Sequence, residues 1–138
     1  MKLAWKFITV LLCVVIPVAA TDLKVIANSS VKASQISSIE LKGIFLVTKT
    51  SLAGDGHVEP VLLKSGDCHE TFVKLYTGKS AAALLTYYRS LVFTGKGEMP
   101  KMLASDEEVV AYVRQTKGAI GYVSAGASTE GVKTLEVK

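Results

Sequence analysis

Gly118-Ala119-Ile120-Gly121-Tyr122-Val123 is the stretch on which the reading of this chain turns. It follows a charged segment, residues 105–116, with helical spacing, and Gly118 stands where a helix ends on a left-handed residue. The apolar run after it is too short for a helix and is biased to β-branched and aromatic residues, which predicts a buried strand. Gly121 interrupts that strand. A glycine there marks close packing or a bulge, or leaves room for a ligand to approach the backbone.

Working back toward the N-terminus, the same alternation repeats. Residues 105–108 form a capping box, Ser105-x-x-Glu108, opening a helix whose Val109, Val110 and Val113 share one face. Upstream, Thr94-Gly95-Lys96-Gly97-Glu98-Met99-Pro100 reads as a loop. Before it, Ser80 caps a helix carrying Leu84, Leu85, Tyr88, Leu91 and Val92 as a continuous stripe, read as core. A helix begins near Asp67, with Phe72, Val73 and Tyr76 on one side, and closes at Gly78. Val61-Leu62-Leu63 is a strand covered on both faces, and Gly54-Asp55-Gly56 a hairpin-like loop. Ser37 to Glu40 is another capping box, opening a helix over 38–45. Residues 23–27 form a first strand ending at the polar turn Asn28-Ser29-Ser30, and 134–137 a last strand. Strands alternating with helices predict an α/β fold with a parallel or mixed sheet.

The first twenty residues read differently. Lys2 and Lys6 precede an apolar run, residues 7–18, and Val18-Ala19-Ala20 offers small residues for cleavage after Ala20. That run is shorter than the roughly 20 residues that span a bilayer, and no second one follows. The expectation is a signal peptide over 1–20 and one exported domain over 21–138, with no membrane span after cleavage. Its removal takes two of the 16 basic residues and leaves 12 acidic ones, a net charge of +2. So small and scattered an excess argues against nucleic-acid binding. Cys13 leaves with the signal, so Cys68 has no partner for a disulfide within the domain.

Catalytic motifs fail on their spacing. Thr77-Gly78-Lys79-Ser80 imitates a phosphate-binding loop, but Val73 stands where that motif needs a glycine. His69-Glu70 lacks the second histidine of a zinc-protease helix, and no serine sits in a glycine-flanked elbow. No catalytic residue, metal site or cofactor is assigned. The stretch 64–69 has another geometry, because a loop leaving a strand and entering a helix N-terminus presents free N–H groups and the positive end of the dipole. Lys64, Ser65, Gly66, Cys68 and His69 are the candidate anion-binding residues. Against this stands Asp67-x-x-Glu70, a capping box that would fill those N–H groups with the protein's own carboxylates.

With these pieces in order, the chain resembles the phosphate-binding proteins of bacterial phosphate ABC transporters, of the type II periplasmic binding protein fold. Glu40-Leu41-Lys42-Gly43-Ile44-Phe45-Leu46, Gly56, Phe72, Phe93-Thr94-Gly95-Lys96-Gly97 and the 118–123 stretch with its preceding helix carry the likeness. It is most similar to short members with a signal peptide and a single lobe. The resemblance implies a single lobe with a mixed β-sheet flanked by helices. It also implies a periplasmic, non-catalytic solute-binding protein that takes phosphate or a similar anion at a helix N-terminus, with an ABC transporter permease or another envelope protein as partner. The alternative is an envelope interaction or regulatory module of the same fold that has lost ligand binding. In the two-lobed relatives, an arginine precedes a serine- and glycine-rich loop. Here Leu63 or Lys64 takes the arginine's place, and Cys68 and Glu70 stand where hydroxyls would donate, so weak binding is expected, strengthened by Glu70→Thr.

Overall fold

The computed structural model describes residues 23–52 and 54–138, so the expected signal peptide lies outside the described residues. The elements run β1 (Leu23–Ala27), β2 (Gln35–Ile36), α1 (Ser38–Phe45), β3 (Glu59–Leu63), α2 (Asp67–Thr77), α3 (Ala81–Phe93), β4 (Lys101–Leu103), α4 (Asp106–Gln115), β5 (Ala119–Ser124) and β6 (Lys133–Val137). The strands make one mixed sheet in the order β2-β6-β1-β5-β3-β4. β3 is parallel to both β4 and β5, while β1 is antiparallel to β5 and β6. The short β2 runs parallel to β6 at the far edge.

β5 shows why its sequence reads as it does. Its first five residues are all buried, and successive side chains leave opposite faces of the sheet. Tyr122 stacks on Phe72 of α2, with ring centroids 3.8 Å apart, and meets Phe45 of α1 at 5.9 Å. On the other face, a Cβ at position 121 would lie 3.1 Å from Val109 Cγ1 and 3.3 Å from Val113 Cγ2 of α4. α1 and α2 therefore cover one face and α4 the other. Of the roles open to Gly121, close packing is the one the structure shows.

Gly118 is left-handed as expected (φ +79°), but α4 has already ended: its C-cap, Thr116, is extended. What Gly118 serves is a crossing of chains. It packs against the His57 carbonyl of the 51–57 loop, where Ser51 and His57 pair across the expected hairpin. Its N–H donates to Ser30 Oγ at 3.1 Å, and its carbonyl accepts from Glu59 N–H at 2.9 Å. Asn28 is equally engaged. Its amide donates to the carbonyls of Val113 (2.8 Å) and Arg114 (3.1 Å), closing the end of α4.

Helix α1 keeps its expected bounds because Ser37 Oγ accepts from Glu40 N–H at 3.1 Å. The stripe on α3 is narrower than expected. Leu84 and Tyr88 are buried, but Val92 is 49% and Phe93 92% exposed. α3 packs on α2 at the outside of the layer, so its last turn runs beyond the core. β2 and β4 carried no sequence signal, since two or three residues show no periodicity.

Val47, just past α1, is the one described non-glycine residue with positive φ (60°). A β-branched residue there costs about 1–2 kcal/mol of backbone strain. Val47→Gly should therefore be neutral or stabilising by up to about 1 kcal/mol, although it deletes a half-buried side chain. Denaturant titration checks the sign; a loss above about 1 kcal/mol would mean that packing outweighs strain.

Candidate functional site

Because β3, β4 and β5 are mutually parallel, their carboxyl ends gather at one edge of the sheet. β3 leads into α2 on one face and β4 into α4 on the other, a topological switch point of the kind where open α/β sheets take ligands. Both helix N-termini open at this edge, and they differ. α4 is closed: Ser105 Oγ accepts from Glu108 N–H at 3.2 Å, and the Glu108 carboxylate accepts from Ala104 N–H at 2.9 Å. α2 begins with Gly66 as N-cap and no side-chain cap.

The expected Asp67–Glu70 capping box is therefore not formed. Asp67 is already the first helical residue, and a capping side chain belongs one position earlier, with extended backbone. Gly66 holds that position at φ 105° and ψ 168°, a region open in practice only to glycine. The N–H groups of Asp67, Cys68 and His69 are left without side-chain acceptors, as a ligand-binding helix end requires.

A shallow cavity of about 400 Å³ opens beside this turn, lined by Asp67, Cys68, Thr71, Ser124, Ala125 and Gly126. Cys68 is the one expected site residue that lines it. Lys64, Ser65 and Gly66 are exposed on the adjoining turn, and the Lys64 N–H is held by the Leu103 carbonyl at 2.9 Å. The His69 side chain lies away from the cavity: it is 4% exposed, turned into the core, with Nδ1 hydrogen-bonded to the Tyr122 hydroxyl. Thr71 and Ser124 were missed. Thr71 lies three residues after Cys68 on the same helical face, and Ser124 is the first polar residue after the apolar run of β5.

No protein-family model and no curated protein sequence matches the chain. Solved structures do. An ABC-type phosphate transport receptor from Vibrio cholerae superposes with a TM-score of 0.64 at 16% identity, over 84% of this chain and 46% of the receptor. A putative phosphate ABC transporter substrate-binding protein with bound phosphate from Clostridium perfringens gives 0.64 at 15%, over 84% and 44%. PstS from Borrelia burgdorferi gives 0.60 at 15%, over 85% and 47%. The chain has the fold of the phosphate receptors. It spans about half the length of these structures, and at such identities the likeness concerns the fold. The α/β lobe with a mixed, helix-flanked sheet is as expected.

In this phosphate-receptor fold the switch-point edge offers N–H and hydroxyl donors, but its charge is divided. Lys64 is the cation on the turn, while Asp67 lines the cavity and the Asp106 carboxylate faces Cys68. Burial pushes the Cys68 thiol above its ordinary value; the Ser124 hydroxyl opposes this and Asp106 adds to it. The helix dipole does not make Cys68 a thiolate, and with His69 engaged by Tyr122 no Cys–His pair forms. No group of three metal-ligating side chains occurs among the described residues. A larger hollow, about 480 Å³, opens at the opposite edge among Val47, Lys49, Glu59 and Lys96. α1 points its C-terminal end there, which repels an anion.

Proposed function

We propose that this chain is a non-catalytic, phosphate-binding-like solute-binding module that takes an inorganic oxyanion at the switch-point edge. The observation that carries the reading is the uncapped N-terminus of α2, placed where β3, β4 and β5 end and flanked by Ser65, Thr71, Ser124 and Lys64. Residues 1–20 direct export, the domain over 21–138 works in the periplasm, and an ABC transporter permease is the partner. No helix among the described residues is long and apolar enough to cross a membrane.

Binding is expected to be weak. An exposed helix N-terminus contributes about 0.3–1 kcal/mol per charge, and a screened lysine about the same. With hydroxyl donors these reach a dissociation constant on the order of millimolar, about 4 kcal/mol. Asp67, inside the cavity, opposes the anion more than Glu70, which does not line it. Asp67→Asn should tighten phosphate several-fold, Glu70→Thr less, and Lys64→Ala should weaken it, all effects shrinking with salt. Calorimetric titration with phosphate and sulfate measures this. The second reading, an envelope interaction module without a ligand, is favoured by Asp67 standing in the cavity; it takes over if neither anion produces a response in wild type and Asp67→Asn.

A further inference from the structure

Beneath the first turn of α2 lies a buried polar chain that the anion site does not use. The Tyr122 hydroxyl accepts from the Leu63 N–H at 3.2 Å and is bonded to His69 Nδ1. Tyr122 is fully buried and His69 nearly so, the two rings lying 13° from parallel. Since Leu63 supplies a donor, the one acceptor for the Tyr122 proton among the described residues is Nδ1. The imidazole is thus neutral with its proton on Nε2, the tautomer that gives the buried Tyr122 hydroxyl proton an acceptor. This chain ties the third residue of α2 to the last residue of β3, and so sets the 64–66 turn between them.

We propose that the His69–Tyr122 hydrogen bond is a pH-sensitive latch, holding the first turn of α2 against the end of β3 while His69 is neutral and releasing it when Nδ1 is protonated. A proton on Nδ1 turns that nitrogen into a donor, so the Tyr122 O–H loses its acceptor, the Leu63 N–H and Nδ1–H both point at one hydroxyl oxygen, and a cation is buried beside the Tyr122 ring. Nothing nearby compensates fully. On α2 the neighbours are Cys68 and the exposed Glu70, β5 presents Tyr122 with Tyr88 of α3 beyond it, and β3 presents the Leu63 amide. The helix N-terminus itself disfavours a positive charge. Burial accordingly holds the His69 pKa below its ordinary 6.5, Glu70 opposing. The released state binds the proton first. The latch is therefore intact above pH 6.5 and is lost as pH falls from there toward the lower value of the latched state.

The latch shapes the proposed anion turn, but its test contains no ligand and stands whether or not phosphate binds. Hydrogen exchange of the wild type between pH 8 and 5, corrected for intrinsic rates, should show protection at Leu63 and Glu70 falling at least tenfold more than at Ile26 in β1. His69→Asn, whose Oδ1 can accept from Tyr122 without titrating, should abolish that excess fall. Equal pH dependence at all three amides, or an excess that persists in His69→Asn, overturns the proposal. If the variant does not fold, NMR titration of the wild-type imidazole decides: a His69 that titrates at 6.5 with Leu63 protection unchanged overturns it, and one that titrates lower together with loss of Leu63 protection supports it.

Discussion

Gly118→Ala is expected to destabilise the domain by about 2–5 kcal/mol, enough to leave a large fraction unfolded at 37 °C. Two costs combine. The residue sits at φ +79°, where an L side chain costs about 1–2 kcal/mol. The added Cβ would also stand 2.3 Å from the His57 carbonyl oxygen, and the obstacle is backbone that cannot swing aside. His57 is itself held, because Val58 N–H donates to the Thr50 carbonyl and Glu59 N–H to the Gly118 carbonyl, each at 2.9 Å. The three-way crossing of the 51–57 loop, the Asn28–Ser30 turn and the start of β5 must therefore open. Gly126→Ala, with open space around its Cβ and no positive φ, is the control and should be silent. Thermal unfolding followed by circular dichroism measures both. A Gly118→Ala variant within 1 kcal/mol of wild type would show that the crossing is loose.

Tyr122→Phe should cost about 2–6 kcal/mol although it keeps the ring and its stack on Phe72. The hydroxyl is the shared partner of Leu63 N–H and His69 Nδ1, and both lie where water does not reach. Leaving a buried polar group unpaired costs about 1–3 kcal/mol, and here there are two. Tyr88→Phe, which removes a single donor to the Phe45 carbonyl, is expected to cost about half as much. Denaturant titration of the two variants tests the ranking. Equal losses would mean that His69 is satisfied by something other than Tyr122.

The parts of this fold that were legible in the sequence are those where local chemistry and burial agree. β5 could be read because both its faces are covered, so nearly every residue is apolar, and α1 because Ser37 caps the Glu40 N–H as its position announces. Asp67 and Glu70 have the same spacing and do not cap. Spacing says which residues could bond, but which of them first takes helical dihedrals depends on Gly66, whose conformation is imposed by the turn from β3. The inward turn of His69 was not legible for a related reason. A histidine beside a polar turn looks exposed, and only the Tyr122 hydroxyl arriving from a strand 53 residues away explains why it turns inward. The hydroxyls of Thr71 and Ser124 meet across two elements that no local pattern connects.

The claim that the switch-point edge is an anion site is tested most directly by amide NMR of the isotopically labelled protein titrated with phosphate into the tens of millimolar. The account predicts saturable shifts concentrated at residues 64–71 and 124–126, largest for the uncapped amides of Asp67 and Cys68. No saturable shift at those residues, or shifts gathered instead around Val47, Lys49 and Lys96 at the opposite edge, would contradict it.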